Sequence, residues 1–173
     1  MNKHDTECIL KLRALEPEDL DALYLIENDE ELWEVGQTNV PYSKYTLNNY
    51  ILSASNDIYA DKQVRLVMEN ECHRVVGLLD IQNFDPRHNR AEIGIVVVKN
   101  ERGKGYGIKA LKKAIEYARS FLHLHQIYAI VDDNNKKCVQ LFESAGFTAN
   151  STLSQWLRCG ETYHNALLMQ LFL

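Results

Sequence analysis

A chain of 173 residues, 46% apolar and 25% charged, has the composition of a soluble globular protein. Its length suits a single domain over residues 1–173 that buries roughly 70% of its unfolded surface. A net charge of −5 argues against nucleic acid as the main partner and weakly favours a cationic one. The first residues, Met1 to Glu7, show no apolar signal region, and no later apolar run approaches spanning length, so no membrane association is expected. Cys8, Cys72, Cys138 and Cys159 are scattered without a C-x-x-C pair, which suits a reducing, cytoplasmic setting rather than a zinc or redox site.

Leu10, Leu12 and Ala14 alternate with Lys11 and Arg13, predicting a first strand. Glu16-Pro17-Glu18-Asp19 starts a helix, with proline in its first turn and acids near its positive end, and Leu20, Leu23 and Tyr24 form its buried face. A second helix begins near Ser43 and carries Leu47, Tyr50, Ile51 and Ala54 on one side. The polar stretch from Asn28 to Tyr42, with Trp33 embedded in it, reads as a loop or short helix.

Val64, Leu66 and Met68 alternate into another strand, and Glu69 to His73 forms a turn. Arg74 to Ile81 returns as a strand, and Asn83 to Asn89, with Asp85-Pro86, turns again. Arg90 to Val98 is rich in β-branched residues and reads as a strand buried on both faces. Ile108, Leu111, Ile115, Ala118 and Leu122 then recur at helical spacing, opposite a face of Lys109, Lys112, Lys113, Glu116 and Arg119. Ile127 to Val131 is a further short apolar run, so strand, helix and strand make a βαβ crossover. Asn135 opens a helix with Cys138, Leu141, Phe142 and Ala145 on one face, ended by Gly146. From Phe147 a final strand pair runs around a turn at Arg158-Cys159-Gly160-Glu161. The whole predicts an α/β (α+β) sheet of about six or seven mostly antiparallel strands with a central parallel pair and helices on both faces.

Between the strand ending at Val98 and the helix that follows lie Arg102-Gly103-Lys104-Gly105-Tyr106-Gly107. Glycines let backbone turn tightly and approach a ligand, with N–H groups aimed into the gap at the positive end of a helix. That describes a phosphate cradle, against the simpler alternative of a basic, glycine-rich surface turn. A nucleotide P-loop is excluded because Lys104 is followed by Gly105 rather than Ser or Thr. The dinucleotide fingerprint G-x-G-x-x-G is excluded because its third glycine comes one residue early.

The pattern R-x-x-G-x-G at Arg102 to Gly107 resembles the pyrophosphate-binding motif of the GNAT superfamily of acetyl-CoA-dependent N-acetyltransferases. The resemblance extends to N-x-x-S/A-x-x-L-Y-x-x-x-G-F, which here reads Asn135-Lys136-Lys137-Cys138-Val139-Gln140-Leu141-Phe142-Glu143-Ser144-Ala145-Gly146-Phe147. It covers roughly Arg90 to Phe147, and looks most like ribosomal-protein N-acetyltransferases and bacterial spermidine acetyltransferases. The resemblance implies acetyl-CoA as co-substrate and transfer of its acetyl group to a primary amine. It implies a cofactor site at Arg102, Gly103, Lys104, Gly105, Tyr106, Gly107, Asn135 and Phe142. Ile95, Val96 and Val97 are expected to pair with the pantetheine arm as with another strand, which requires a splayed sheet edge.

Direct acetyl transfer needs a group that takes a proton from the ammonium, and support for the charges on oxygen and sulfur. Glu92, on the strand leading into the cofactor site, is the candidate catalytic base by resemblance; the competing reading is a solvated acid paired with Arg90 or Arg74. Asp80, Asp132 and Asp133 rank behind it as turn or strand-end residues. Relatives place a tyrosine where this chain has Phe142, which has no proton to give. A thiol of pKa ~8.5 leaves tolerably as thiolate, and Tyr106, Tyr128, Tyr163 or water could substitute. Cys138 stands at a helix N-terminus, where thiol pKa falls, but at a small-residue position of the pattern, which favours packing. Trp33 and Glu34, among Glu30 and Glu31, lie where relatives cover the acceptor, and an aromatic floor with acidic walls suits a cationic amine; a hydrophobic anchor in a solvated acidic loop is the alternative. No histidine spacing suggests a metal. The acceptor is either a small amine such as a polyamine or a peptide N-terminus. The rival from another class is a catalytically idle acyl-CoA-binding module, and oligomeric state is not legible.

Overall fold

The computed structural model describes residues 9–33, 40–55 and 57–173, the side chain of Trp33 excepted. Seven strands form one sheet: β1 (Leu10–Ala14), β2 (Val64–Asn70), β3 (Val75–Asp85), β4 (Arg90–Val97), β5 (Gln126–Asp132), β6 (Thr148–Cys159) and β7 (Thr162–Phe172). Their order is β1-β2-β3-β4-β5-β7-β6, and only β4 and β5 run parallel. The helices are α1 (Leu20–Glu27), α2 (Glu30–Trp33), α3 (Lys44–Ser53), α4 (Ile58–Asp61), α5 (Tyr106–Ser120) and α6 (Lys136–Ser144).

The sheet has two differently clothed faces. On the back, Ala110, Leu111, Ala114, Ile115 and Ala118 of α5 and Phe142 of α6 pack with Leu79, Ile81, Ala91, Ile93, Ile127 and Ala129 of the strands. On the front, Leu23 and Ile26 of α1 and Leu47 and Ile51 of α3 cover Val67 and Leu78, with Val96 and Val98 alongside. The period-2 alternation along each strand produces this division.

Several elements differ from the sequence reading. Pro17–Asp19 forms a separate 3₁₀ turn before α1, closed by a reciprocal capping box between Glu16 and Asp19. The strand β3 runs on to Asp85, into the stretch expected to turn, because a register shift between Gln82 and Asp85 lets it stay paired with β4. The helix α4, one turn long, carries no periodic signal. As expected, Ser43 caps α3 by accepting from the Thr46 N–H at 3.0 Å, and Gly146 follows α6 at φ +98°. Among the described residues, no helix is long and apolar enough to cross a membrane.

Candidate active site

Two constructions meet at β4: a cradle past its C-terminal end, and a gap along one edge. A 3₁₀ turn at Lys99–Glu101 leads from the strand to Gly103 and Gly105, which hold φ of +79° and +84°. Side chains rarely accept that backbone. A Cβ on either glycine would meet no described atom within 4 Å, so open space lies in front of both. Gly105 is the N-cap of α5, so the helix's positive end and its first-turn N–H groups, those of Gly107 and Ile108 included, face this space. The arrangement fits a pyrophosphate.

The other cradle residues divide by what they touch. Arg102 turns back and donates from Nε to the Val97 carbonyl at 2.9 Å, while Lys104 Nζ pairs with Glu101 at 3.0 Å. Both remain exposed. Tyr106 is 4% exposed and belongs to the core. A Cβ on Gly107 would come within 3.1 Å of Leu141 Cδ2, so this glycine lets α5 and α6 pack closely. Glu31 of α2 forms an ion pair with Lys99, tying the front cover to the start of the cradle.

The gap is set by register. The parallel pairing of β4 with β5 covers only Arg90–Gln126, Ala91–Ile127 and Glu92–Tyr128. Beyond it β4 continues to Val97, still paired to β3 through Ile95–Leu79, Val96–Leu78 and Val97–Gly77, and β5 continues to Asp132, paired to β7. The two strands therefore part after Glu92 and Tyr128. The backbone edge of Ile95, Val96 and Val97 is left facing an opening that an extended chain could fill by strand addition.

Glu92 stands at the apex of that opening, on the front face. It is 9% exposed and not the solvated acid of the competing reading; Arg90 pairs with Asp85 at 3.3 Å instead. Its Oε2 accepts from Asn83 Nδ2 at 2.8 Å. Asn83 lies in the β3 register shift at φ +51°, a conformation asparagine tolerates better than most residues. The bulge thus aims a donor at the carboxylate, which sequence reading missed because it depends on how β3 and β4 align. Tyr128, the register partner of Glu92, is half-buried, and burial followed by the Glu92 charge raises its pKa. Among the described residues its hydroxyl has no hydrogen-bond partner.

The remaining candidates sort clearly. Asn135 is the N-cap of α6, its Oδ1 accepting from the Cys138 N–H at 3.1 Å. Phe142 is 2% exposed and meets Phe147 edge-on at 5.0 Å, within the core rather than on an open wall. Tyr163 is exposed near the start of β7, in its hairpin with β6. Burial pushes the Cys138 thiol up to about 11, against the helix-end expectation, so it is a neutral packing group. Glu34 and the side chain of Trp33 lie outside the described residues.

Two charge clusters share the front face. Asp80, expected at a turn or strand end, lies within β3 and receives Arg65 Nε at 2.7 Å, and Arg65 also reaches Glu27 of α1. Asp132 ends β5 and binds His164 Nδ1 at 2.8 Å. Burial works to raise the Asp132 pKa, but His164 and the Asn134 N–H hold it below its usual value. Among the described residues, no group of three His, Cys, Asp or Glu could hold a metal.

Comparison with known proteins gives this arrangement its family. Residues 10–148 match the acetyltransferase (GNAT) domain, which takes in β1 through the start of β6. The spermidine N(1)-acetyltransferase of Escherichia coli K12 is 28% identical over 163 residues, covering 94% of this chain and 86% of the relative. The putative ribosomal N-acetyltransferase YdaF of Bacillus subtilis is 27% identical over 99% of this chain and 92% of its own length. Among solved structures, spermidine N-acetyltransferase from Vibrio cholerae in complex with CoA and spermine superposes with a TM-score of 0.84 at 27% identity. That match covers 94% of this chain and 95% of that one. The chain belongs to the GNAT family and is an acetyl-CoA-dependent N-acetyltransferase.

Proposed function

We propose that residues 1–173 form a single N-acetyltransferase domain that acetylates a small aliphatic polyamine by direct transfer from acetyl-CoA, with Glu92 as general base. The observation that carries this reading is the position of Glu92: a buried carboxylate at the apex of the β4–β5 gap, on the face not closed by α5 and α6. Front-face carboxylates support a cationic acceptor. Asp80 and Glu27 gather on that face around Arg65, and the buried Glu92 adds a further carboxylate. Two of the similar proteins are spermidine N-acetyltransferases, one of them solved with spermine, which supports a polyamine over a peptide N-terminus.

In this reading the backbone from Arg102 to Gly107 holds the cofactor pyrophosphate. Gly103 and Gly105 give it room, and Lys104 lies at its side. The edge of Ile95, Val96 and Val97 pairs with the pantetheine arm. Asn135 fixes the start of α6 beside that arm, and Phe142 supplies the apolar underside. Trp33 and Glu34 are assigned to the acceptor by the family resemblance alone. Glu92, held by Asn83, takes the ammonium proton directly or through water, and the freed amine attacks the thioester carbon. The tetrahedral adduct gives its second nitrogen-borne proton to water, the C–S bond breaks as the carbonyl re-forms, and the electron pair leaves on sulfur. Tyr128, across from Glu92 in the β4–β5 register, is the candidate to give that sulfur a proton, its phenol kept neutral by burial and by Glu92. No covalent enzyme intermediate is needed, in keeping with the neutral Cys138.

The test is CoA release from acetyl-CoA with a panel of diamines, spermidine, spermine and N-terminal peptides. Acceptor-dependent thiol formation that is fastest with the polyamines is expected. Acetyl-CoA binding without turnover on any amine would instead identify an idle acyl-CoA-binding module.

A further inference from the structure

We infer that Gly94 is the port through which the acceptor amine reaches the gap between β4 and β5, and that its missing side chain sets how bulky that acceptor can be. The inference rests on the acetyl-transfer reading and adds a residue to it.

The back of the gap is shut. Ala91, Ile93, Ile95 and Val97 point there and pack in the cluster shared with α5 and α6, so a nucleophile must come from the front. The front face of β4 carries Glu92, Gly94 and Val96 in turn, with Val98 following just past the strand. Glu92 is the last β4 residue paired to β5, so Gly94 is the first front-facing position beside the opening. A Cβ built there meets no described atom within 4 Å, and Gly94 does not have a positive φ. The backbone therefore does not require glycine. Gly77, its near neighbour on β3, does: a Cβ there would lie 2.2 Å from the Val96 carbonyl oxygen.

Among the described residues, the space above Gly94 is open, with Glu92 along the strand on one side and, across the strand pair, Asp80, the register partner of Gly94, held by Arg65. An ammonium entering here meets Glu92 beside it before its proton is removed, while the Asp80 carboxylate across the strand pair is already paired with Arg65. Any substituent on the carbon bearing the amine must occupy the place a side chain at position 94 would take. The port thus admits amines on a branched carbon as well as straight-chain amines. Beyond it, along the same face, Val96 and Val98 line a cavity of about 300 Å³ with Ile26, Leu32 and Val75, mostly apolar but with Asp29 and Lys99 also in its wall, where an aliphatic chain can lie.

The experiment compares Gly94→Ala and Gly94→Val with wild type, using a straight-chain diamine and an acceptor branched at the carbon bearing the amine. Both variants should keep the wild-type melting temperature and acetyl-CoA affinity. Gly94→Ala should lower kcat/KM for the branched acceptor about tenfold and spare the straight one, the scale of a methyl group in a fitted site. Gly94→Val should lower both by about 10²-fold, as expected when a reacting group is displaced by about 1 Å. A folded Gly94→Val with wild-type kcat/KM on both acceptors overturns the port. So does a loss confined to acetyl-CoA affinity, which would place position 94 on the cofactor. Wild-type protein that binds acetyl-CoA yet turns over neither amine defeats the transferase reading, and this inference with it.

Discussion

The two faces of β4 are built from the same strand to opposite ends. Ala91, Ile93, Ile95 and Val97 face α5 and α6 and fill a dense apolar layer. Glu92, Gly94 and Val96, alternating with them, present an acid, an empty position and the rim of a cavity. Burial on the back holds the strand in place after β5 has left it, so that the front and the free edge can stay unfilled. A strand that loses its partner halfway loses backbone hydrogen bonds, and only packing on the closed face offsets that. The open site is thus a consequence of the closed core behind it.

The sharpest way to break this division is Glu92→Gln, which keeps an oxygen for Asn83 Nδ2 and removes only the charge and basicity. We expect kcat to fall about 10²–10⁴-fold, the span of general base catalysis, with acetyl-CoA affinity and melting temperature held. A variant that keeps wild-type kcat would move the base elsewhere on the front face. On the back face the opposite signature should appear. Ile93→Ala empties part of the α5 interface and should cost about 3 kcal/mol of stability by urea denaturation. Turnover by the folded fraction should change only severalfold; a collapse of kcat in a still-folded protein would show that the faces are not separable in this way.

The cradle lies at the end of both faces and should answer to neither. A side chain at Gly105 enters the space where the phosphates would sit and also meets a φ of +84°. Gly105→Val should weaken acetyl-CoA binding by about 10–100-fold by calorimetry, the worth of one hydrogen bond to a charged group. The backbone strain should add a stability loss of about 1–3 kcal/mol. Unchanged affinity in the folded variant would remove the phosphates from this turn.

What could be read in the sequence was what neighbouring residues decide among themselves. The glycine spacing after Val98, the helical period from Ile108, and Asn135 as a cap are local signals, and each sits where expected. The features that make the site depend on partners distant in sequence. Nothing around Asn83 announces a bulge, because its φ follows from how β3 aligns with β4; the Asp85-Pro86 pair pointed to an earlier turn. The burial of Glu92 and the ion pairs joining Arg65 to Asp80 and Glu27 likewise come from strands and a helix brought together by the fold. The expected splay followed from the family resemblance, and only the register shows that it begins after Glu92. Phe142 illustrates both sides. Its helix was legible, but its enclosure against Phe147 was not, because both faces of a helical aromatic can be apolar.

The smallest effect is expected where the sequence offered a tempting nucleophile. Cys138 sits in the first turn of α6, yet burial raises its thiol from 9.0 to about 11, so it remains protonated across the neutral range. Replacing it with alanine removes one sulfur from a partly buried contact and should cost about 1 kcal/mol. Turnover should be unchanged, since a direct transfer never loads the acetyl group on the enzyme; a large loss of kcat, or an acetylated Cys138 trapped by mass spectrometry, would overturn that mechanism. The stability effect should also depend on pH, with a definite sign. A thiol whose pKa is higher folded than unfolded leaves stability intact below the unfolded value. As pH rises from about 9 towards about 11, the unfolded chain releases the proton while the folded chain keeps it, so wild type loses stability across that window. Cys138→Ala lacks the titrating group. Its deficit relative to wild type should therefore shrink as pH rises through that range, and a deficit that stays constant would mean that the thiol ionises as easily in the folded protein as in the unfolded chain.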